Sequence, residues 1–272
     1  MPHDSDWRPR NVLQPIWRFR SFVLGGVRRE LALRYSGSLL GGAWQILGPA
    51  TTIAIYTIVF AEVMRARLPG VGDRFSYAIF VCVGIIAWNL FSELVLRSQT
   101  VFRDNANLIK KASFPRAVLL AIIMLSALVS AGLFLGIFLV LLALLDRMPG
   151  WSLLAVVPLL ALLCSIGVGL GLIAAVLNVF FKDVGQAMPL VLQFWFWLTP
   201  IVYSPAILPQ SWRWVLDLNP LTPVFTGMQN VFLANQWPPT GSIVAPVILG
   251  AALLIAGFWI YRRAGPELVD EL

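Results

Sequence analysis

Few residues in this 272-residue sequence could do covalent or metal chemistry. His3 is the only histidine and lies in a polar N-terminal stretch, so histidine catalysis and histidine metal ligation have almost nothing to build on. Cys82 and Cys164 both fall inside apolar runs, where thiols behave as small hydrophobes, and they form neither a disulfide framework nor a zinc spacing. There is no GxxxxGKS/T phosphate loop, so the chain is not itself a P-loop ATPase. Gly167, Gly169 and Gly171 sit within a long apolar run with no strand before them, which points to close helix packing rather than a dinucleotide; Gly132 and Gly136 make a similar small-residue face. Glu62 and Glu93 lie near the ends of apolar runs, where snorkelling is the economical role, and this argues against a proton- or sodium-coupled carrier. No catalytic or metal-ligating residue is assigned.

The chain is rich in aromatic residues instead. Phe194-Trp195-Phe196-Trp197 is followed by Thr199-Pro200-Ile201-Val202-Tyr203. Four consecutive aromatics cover every side of a helix, so some face lipid or the interface belt. The rest could line a path: sugar rings present flat C–H faces that lie on aromatic rings, and an uncharged aromatic corridor suits a polysaccharide. Phe194, Trp195, Phe196, Trp197 and Tyr203 form one candidate wall, and Trp44, Tyr56, Tyr77, Trp88 and Phe91 the facing one. Two polar segments mix charge with apolar residues. The 97–116 loop carries Arg103, Asp104, Asn105, Lys110, Lys111 and Arg116 beside Leu108, Phe114 and Pro115; the 178–184 turn sets Phe181 beside Lys182 and Asp183. Both look like docking segments, against the plainer reading of two solvated loops.

The elements that must position these residues are membrane helices. Hydrophobic residues make up 59% of the chain and charged ones 12%, with a mean hydropathy of +0.82; a soluble domain carries roughly 25% charged residues. A hydrocarbon core of ~30 Å takes about 20 apolar residues in a helix. Uncharged runs meet that at six places: 41–64, 75–96, 117–145, 151–181, 184–203 and 241–261. Residues 205–240 are apolar yet full of prolines, which suggests short re-entrant helices before the last span, with a folded external loop as the alternative. From Leu13 to Tyr35 apolar residues alternate with Arg18, Arg20, Arg28, Arg29 and Arg34, as in a basic amphipathic helix lying in the interface plane. The net charge of +7 therefore points to membrane topology rather than nucleic acid. Fifteen of the twenty Lys and Arg residues fall on one side of the spans; Arg65, Arg67, Arg74, Arg147 and Arg213 fall on the other. The positive-inside rule then places both termini in the cytoplasm. The expected fold is all-α and polytopic: a tail and interface helix over 1–40, a six-helix transmembrane domain over 41–262, and a tail over 263–272.

Taken together, these residues resemble the membrane (permease) subunits of bacterial ABC exporters for surface polysaccharides, those of O-antigen, teichoic-acid and capsule systems. The resemblance spans nearly the whole chain. It rests on RYSGSLLGGAW from Arg34 to Trp44, NLIKKASFP from Asn107 to Pro115, and FKDV from Phe181 to Val184, followed by FWLTPIVY from Phe196 to Tyr203 and NPLTP from Asn219 to Pro223. The last two look closest to the O-antigen branch. The resemblance implies a homodimer in the inner membrane, with a channel for a lipid-linked polysaccharide at the dimer interface. It also implies a separate cytoplasmic ATPase subunit that binds ATP and Mg, this chain holding no cofactor. In that family the loop matching 103–116 and the N-terminal helix touch the ATPase, which would make Asp104, Asn105, Leu108, Lys110 and Phe114 coupling residues.

Three rivals stay open, one of them a purely structural scaffold, which would not need basic docking loops. A drug or lipid exporter of the same class would have a more uniformly aliphatic path. A membrane-embedded glycosyl or acyl transferase would need a carboxylate or histidine near the interface, for which only Asp73, Asp146 and Asp217 are available on the outer side. Replacing Trp195 or Trp197 with Ala is expected to lower glycan export while leaving assembly with the ATPase intact, measured by surface-glycan staining and co-purification; normal export by both variants would remove the corridor.

Overall fold

The computed structural model describes residues 17, 19–34, 37–63, 75–111, 117–265 and 267–271. These are helical almost throughout, without a strand among the described residues, and the chain is an all-α polytopic membrane protein. The helices are α1 Arg20–Leu33, α2 Trp44–Thr57, α3 Ser76–Asp104, α4 Ala106–Lys111, α5 Ala117–Leu144, α6 Val156–Phe180, α7 Asp183–Leu198, α8 Arg213–Leu218, α9 Thr222–Ala234, α10 Thr240–Ala264 and α11 Glu267–Glu271. Five helical stretches are long and apolar enough to cross a membrane: Gly41–Ala61, Ser76–Asp104, Ala117–Leu144, Trp151–Phe180 and Thr240–Ala264.

The expected span over 184–203 takes a different form. Helix α7 has 16 residues, about 24 Å at the α-helical rise, which falls short of the hydrocarbon core. It stops because Pro200 excludes the helical conformation at the residue before it, and Thr199 is extended at φ −102°, ψ 137°. Non-helical chain completes the distance. Just before α7, the Asn178 side chain donates to the Gln99 carbonyl at 3.0 Å; beyond α7, the Tyr77 hydroxyl donates to the Val202 carbonyl. Tyr77 and Gln99 lie 22 residues apart on the continuous helix α3, about 33 Å. This crossing, the fifth in chain order, is therefore part helix and part non-helical chain.

Helix α3 is the axis of the bundle, with Phe91, Leu94 and Val95 fully buried. Helix α6 approaches it through glycines. A Cβ on Gly167 would lie 3.1 Å from Leu94 Cβ, and one on Gly171 would lie 2.5 Å from Ser98 Cβ. Gly169 points the other way, where a Cβ would come within 2.8 Å of the Leu253 backbone in α10. Glycine at every second position thus brings α6 close to two helices at once. Gly132 and Gly136 on α5 meet nothing within 4 Å, so that small-residue face is not used within the described chain.

The proline-rich region after α7 does enter the bundle. Phe225 of α9 lies 6.1 Å, centroid to centroid, from Trp88, which is twelve residues into α3 and so about 18 Å deep. The other end of α9 returns to the rim, where Asn235 accepts from the Gly150 amide at 2.9 Å and from the Ser152 hydroxyl. Helix α1 is amphipathic as expected, with Val23 and Val27 buried and Arg20, Arg28 and Arg29 exposed. It follows α5 rather than standing apart from the bundle: Val23 packs on Val118 and Ala121, Gly26 faces Ile122, and Glu30 and Arg34 bond Ser126 and Ser130.

Gly169→Ala is expected to lower thermal stability in detergent by about 1–3 kcal/mol through overpacking against α10, whereas Gly132→Ala, with open space around it, is expected to be neutral or slightly stabilising. Equal melting temperatures for the two variants would contradict the backbone contact at Gly169.

Candidate functional site

Helix α7 is covered on one narrow side. Leu192 is its one fully buried residue, while Leu190, Phe194 and Trp197 project outward, the last two 70% and 60% exposed. Their spacing of four and three residues puts them on one stripe. The covered side is held by polar side chains from other elements. Trp195 donates its indole N–H to Asn219 Oδ1 at 3.0 Å, and Asn219 Nδ2 donates to the Leu198 carbonyl at 3.1 Å and the Thr199 hydroxyl at 2.9 Å. Gln229 Nε2 donates to the Pro200 carbonyl at 2.9 Å. Ile201 fits against Gly84, where a Cβ would lie 3.0 Å from its side chain and 3.1 Å from its carbonyl oxygen.

These contacts divide the aromatic residues. Phe194, Trp197 and Trp44 are exposed, although the Trp44 indole donates to Ser38 at 2.9 Å. Tyr56 and Phe196 are half-buried; Tyr56 stacks on Phe60 at 6.0 Å. Trp88 and Phe91 belong to the interior, 8% and 0% exposed. They make edge contacts at 5.6 Å with Phe196 and Trp195 respectively, so they support the stripe from behind and do not line a corridor. Tyr77, Trp195 and Tyr203 have hydrogen-bonded heads, Tyr203 donating to the Trp197 carbonyl at 3.1 Å. Trp195→Ala therefore disturbs packing as well as any surface, and Trp197→Ala is the cleaner substitution.

The second candidate surface lies at the end of the bundle where α3, α6 and α10 finish. Asn105 ends α3 by donating its side-chain amide to the Val101 carbonyl at 2.9 Å. The short helix α4 then turns across the end, anchored by buried Ile109, which clusters with Phe102, Val179 and Leu268. Leu108 and Lys110 are exposed on it, as are Arg103 and Asp104 just before it. Next to it the turn between α6 and α7 exposes Lys182, Asp183 and Phe181, the last at 64%. Asn178, 1% exposed, ties the parts together. It donates to Gln99, accepts from Arg103 Nη1 at 3.5 Å, and sits where a Cβ on Gly185 would come within 2.8 Å of its Oδ1. The sequence reading includes Asn178 in the turn without this role; an amide interrupting an apolar run was the available signal.

A charge network was also missed. Arg34 contacts Glu93 and Glu30, and Arg97 contacts Glu30 and Glu93, the second pair at 3.0 Å. Ser126 donates to Glu30 at 3.1 Å, and Arg34 donates to Ser130 at 3.2 Å. Two cations and two carboxylates thus join α1, α3 and α5. Arg34 is held in this network, unlike the exposed Arg20, Arg28 and Arg29, and Glu93 is paired instead of snorkelling alone. Arg20 lies 5.3 Å from the Trp17 ring, over its face. His3, Arg18, Arg65, Arg67, Asp73, Arg74, Phe114, Pro115 and Arg116 lie outside the described residues, as does the side chain of Lys111.

Residues 24–233 match the description of ABC-2 type transporters. The chain is 27% identical over 263 residues to the O-antigen export system permease protein RfbA of Myxococcus xanthus, covering 96% of this chain and 99% of that one. It is 31% identical to an RfbA of the same description from Klebsiella pneumoniae, over 86% of this chain and 88% of the relative. The polysialic acid transport protein KpsM of Escherichia coli is 25% identical, over 86% and 90%.

Asn219→Ala leaves the Trp195 indole and the Leu198 carbonyl without their partners. It is expected to cost about 1–3 kcal/mol in detergent unfolding followed by tryptophan fluorescence, and an unchanged unfolding curve would contradict the tether.

Proposed function

Because the chain belongs to the ABC-2 type transporter family, we propose that it is the permease of an ATP-driven exporter that moves a lipid-linked, O-antigen-like polysaccharide outward across the inner membrane. The observation that carries this reading is the uncovered stripe Leu190, Phe194 and Trp197 on α7, an aromatic surface without charge. A second copy of the chain brings two such stripes face to face and encloses a channel between them. Ring contacts worth about 0.5–1.5 kcal/mol each hold a glycan weakly enough for it to slide. The O-antigen permeases among the relatives support the substrate class. The likeness to a polysialic acid transport protein makes capsule export the second reading.

ATP and Mg belong to a separate cytoplasmic subunit, since this sequence has no phosphate loop. That subunit docks on the cationic end of the bundle. Leu108 and Phe181 supply apolar contacts there, while Arg103, Asp104, Lys110, Lys182 and Asp183 supply charge complementarity. Asn178 then connects the docking surface to the first turn of α7, so movement of α4 and the α6–α7 turn reaches the helix that carries the stripe. The excess of Lys and Arg at this end supports a cytoplasmic location for it and for both termini.

Gentle solubilisation from the native host followed by mass spectrometry of co-purifying proteins is expected to recover an ABC ATPase at equal stoichiometry. Trp197→Ala is expected to retain that partner and lose surface glycan, while Phe181→Asp is expected to lose the partner. Absence of an ATPase under several detergents would overturn the exporter assignment.

A further inference from the structure

A cavity of about 360 Å³ lies between the C-terminal end of α1 and helices α2, α3 and α5, within the range typical of small-molecule sites. Its lining changes with depth. Glu93 is 17 residues into α3, about 26 Å from the outer rim and hence near the inner hydrocarbon boundary. Arg34 stands beside it at the level of Ser130. One turn deeper, Asn89 lines the same space. It is the exposed residue in an otherwise buried run from 76 to 91 apart from half-buried Tyr77, and its side-chain amide makes no hydrogen bond among the described residues. Deeper still the walls are apolar, formed by Ile86, Leu133 and Phe134. This order of ion pair, amide and hydrocarbon is that of a membrane lipid with its head at the inner boundary.

The ion pair also selects a head. Of the four charged groups in the network, Arg34 and Glu93 line the cavity, and Glu30 and Arg97 do not. A ligand therefore meets one cation and one anion side by side, a dipole that suits a zwitterion and repels neither of its charges. An anionic head would have to approach Glu93 as well as Arg34.

We propose that this cavity holds the head group and glycerol backbone of one glycerophospholipid of the phosphatidylethanolamine type, whose acyl chains run out of it into the bilayer. The phosphate pairs with Arg34, the ammonium with Glu93, the Asn89 amide donates to a glycerol ester carbonyl, and an acyl chain lies against Leu133 and Phe134. The lipid fills the gap between α2 and the rest of the bundle and acts as a structural component of the permease. The site is separate from the α7 stripe and does not depend on which glycan is exported.

The test is native mass spectrometry of the full chain, delipidated in detergent and titrated with dioleoyl-phosphatidylethanolamine or dioleoyl-phosphatidylglycerol. One phosphatidylethanolamine per chain is expected, favoured by about tenfold, the worth of one hydrogen bond to a charged group. Glu93→Gln is expected to abolish or reverse that preference. Asn89→Trp fills the cavity without touching the ion pairs, and is expected to eliminate the bound lipid while the protein stays monodisperse. Equal retention of both lipids, preference for phosphatidylglycerol by the unaltered chain, retention undiminished in Asn89→Trp, or a polyprenyl-linked glycan as the molecule that Asn89→Trp displaces would each overturn the assignment. Export of glycan is read separately, so loss of the lipid site and loss of the transport assignment are distinguishable.

Discussion

Peptide groups that leave the helical conformation inside a hydrocarbon layer have no water to bond with, and each must find a partner within the protein. Four carbonyls between residues 198 and 202 meet this constraint. Leu198 is served by Asn219, Pro200 by Gln229, Val202 by Tyr77, and Thr199 accepts from the Ile201 amide at 2.7 Å. Those partners come from α3, the chain before α9, and α9 itself. The end of the bundle away from α4 is therefore organised around a short stretch of non-helical backbone. The dip of α9 to the level of Trp88 is what carries Gln229 into range.

The end that carries α4 rests on ionic and amide contacts. The Glu30, Arg34, Glu93 and Arg97 network fastens α1 to α3 and α5, and Asn178 fastens the end of α3 to the start of α7. Ion pairs about a quarter exposed, as these are, add little net stability, because solvent screening and residual desolvation offset the attraction. They are directional, however, and they hold α1 in one register along α5. Between the two ends α7 itself is lightly held, since its outward stripe touches little of its own chain.

Much of this arrangement was legible in the sequence because membrane helices announce themselves by uncharged length. The runs ending near Leu145 and Phe181 and the run beginning near Gly241 correspond closely to α5, α6 and α10. The alternating glycines at 167, 169 and 171 indicated close packing, and prolines in 205–240 indicated re-entrant chain. Which side of α7 is covered is not legible in the residues. Four adjacent aromatics carry no periodicity, and the covering residues, Asn219 and Phe225, arrive from an element that depends on tertiary structure for its position. Trp88 and Phe91 were misplaced for the same reason. The cross-helix part of the charge network is hidden because the local pairs Glu30–Arg34 and Glu93–Arg97 meet each other and the serines of α5 across 59 to 96 residues, and each charge read singly looks like an interfacial residue.

The tethering of residues 198–203 also bears on how the polypeptide enters the bilayer during synthesis. Tyr77 is already in place when Pro200 leaves the ribosome, but Asn219 and Gln229 are translated 19 and 29 residues later. A 16-residue helix followed by unpaired carbonyls is a poor candidate for release into lipid on its own. The nascent segment must stay beside the insertion machinery or against α3 until α9 has been made. The fifth and sixth crossings consequently mature as one unit, delayed until the proline-rich turn has folded back between them.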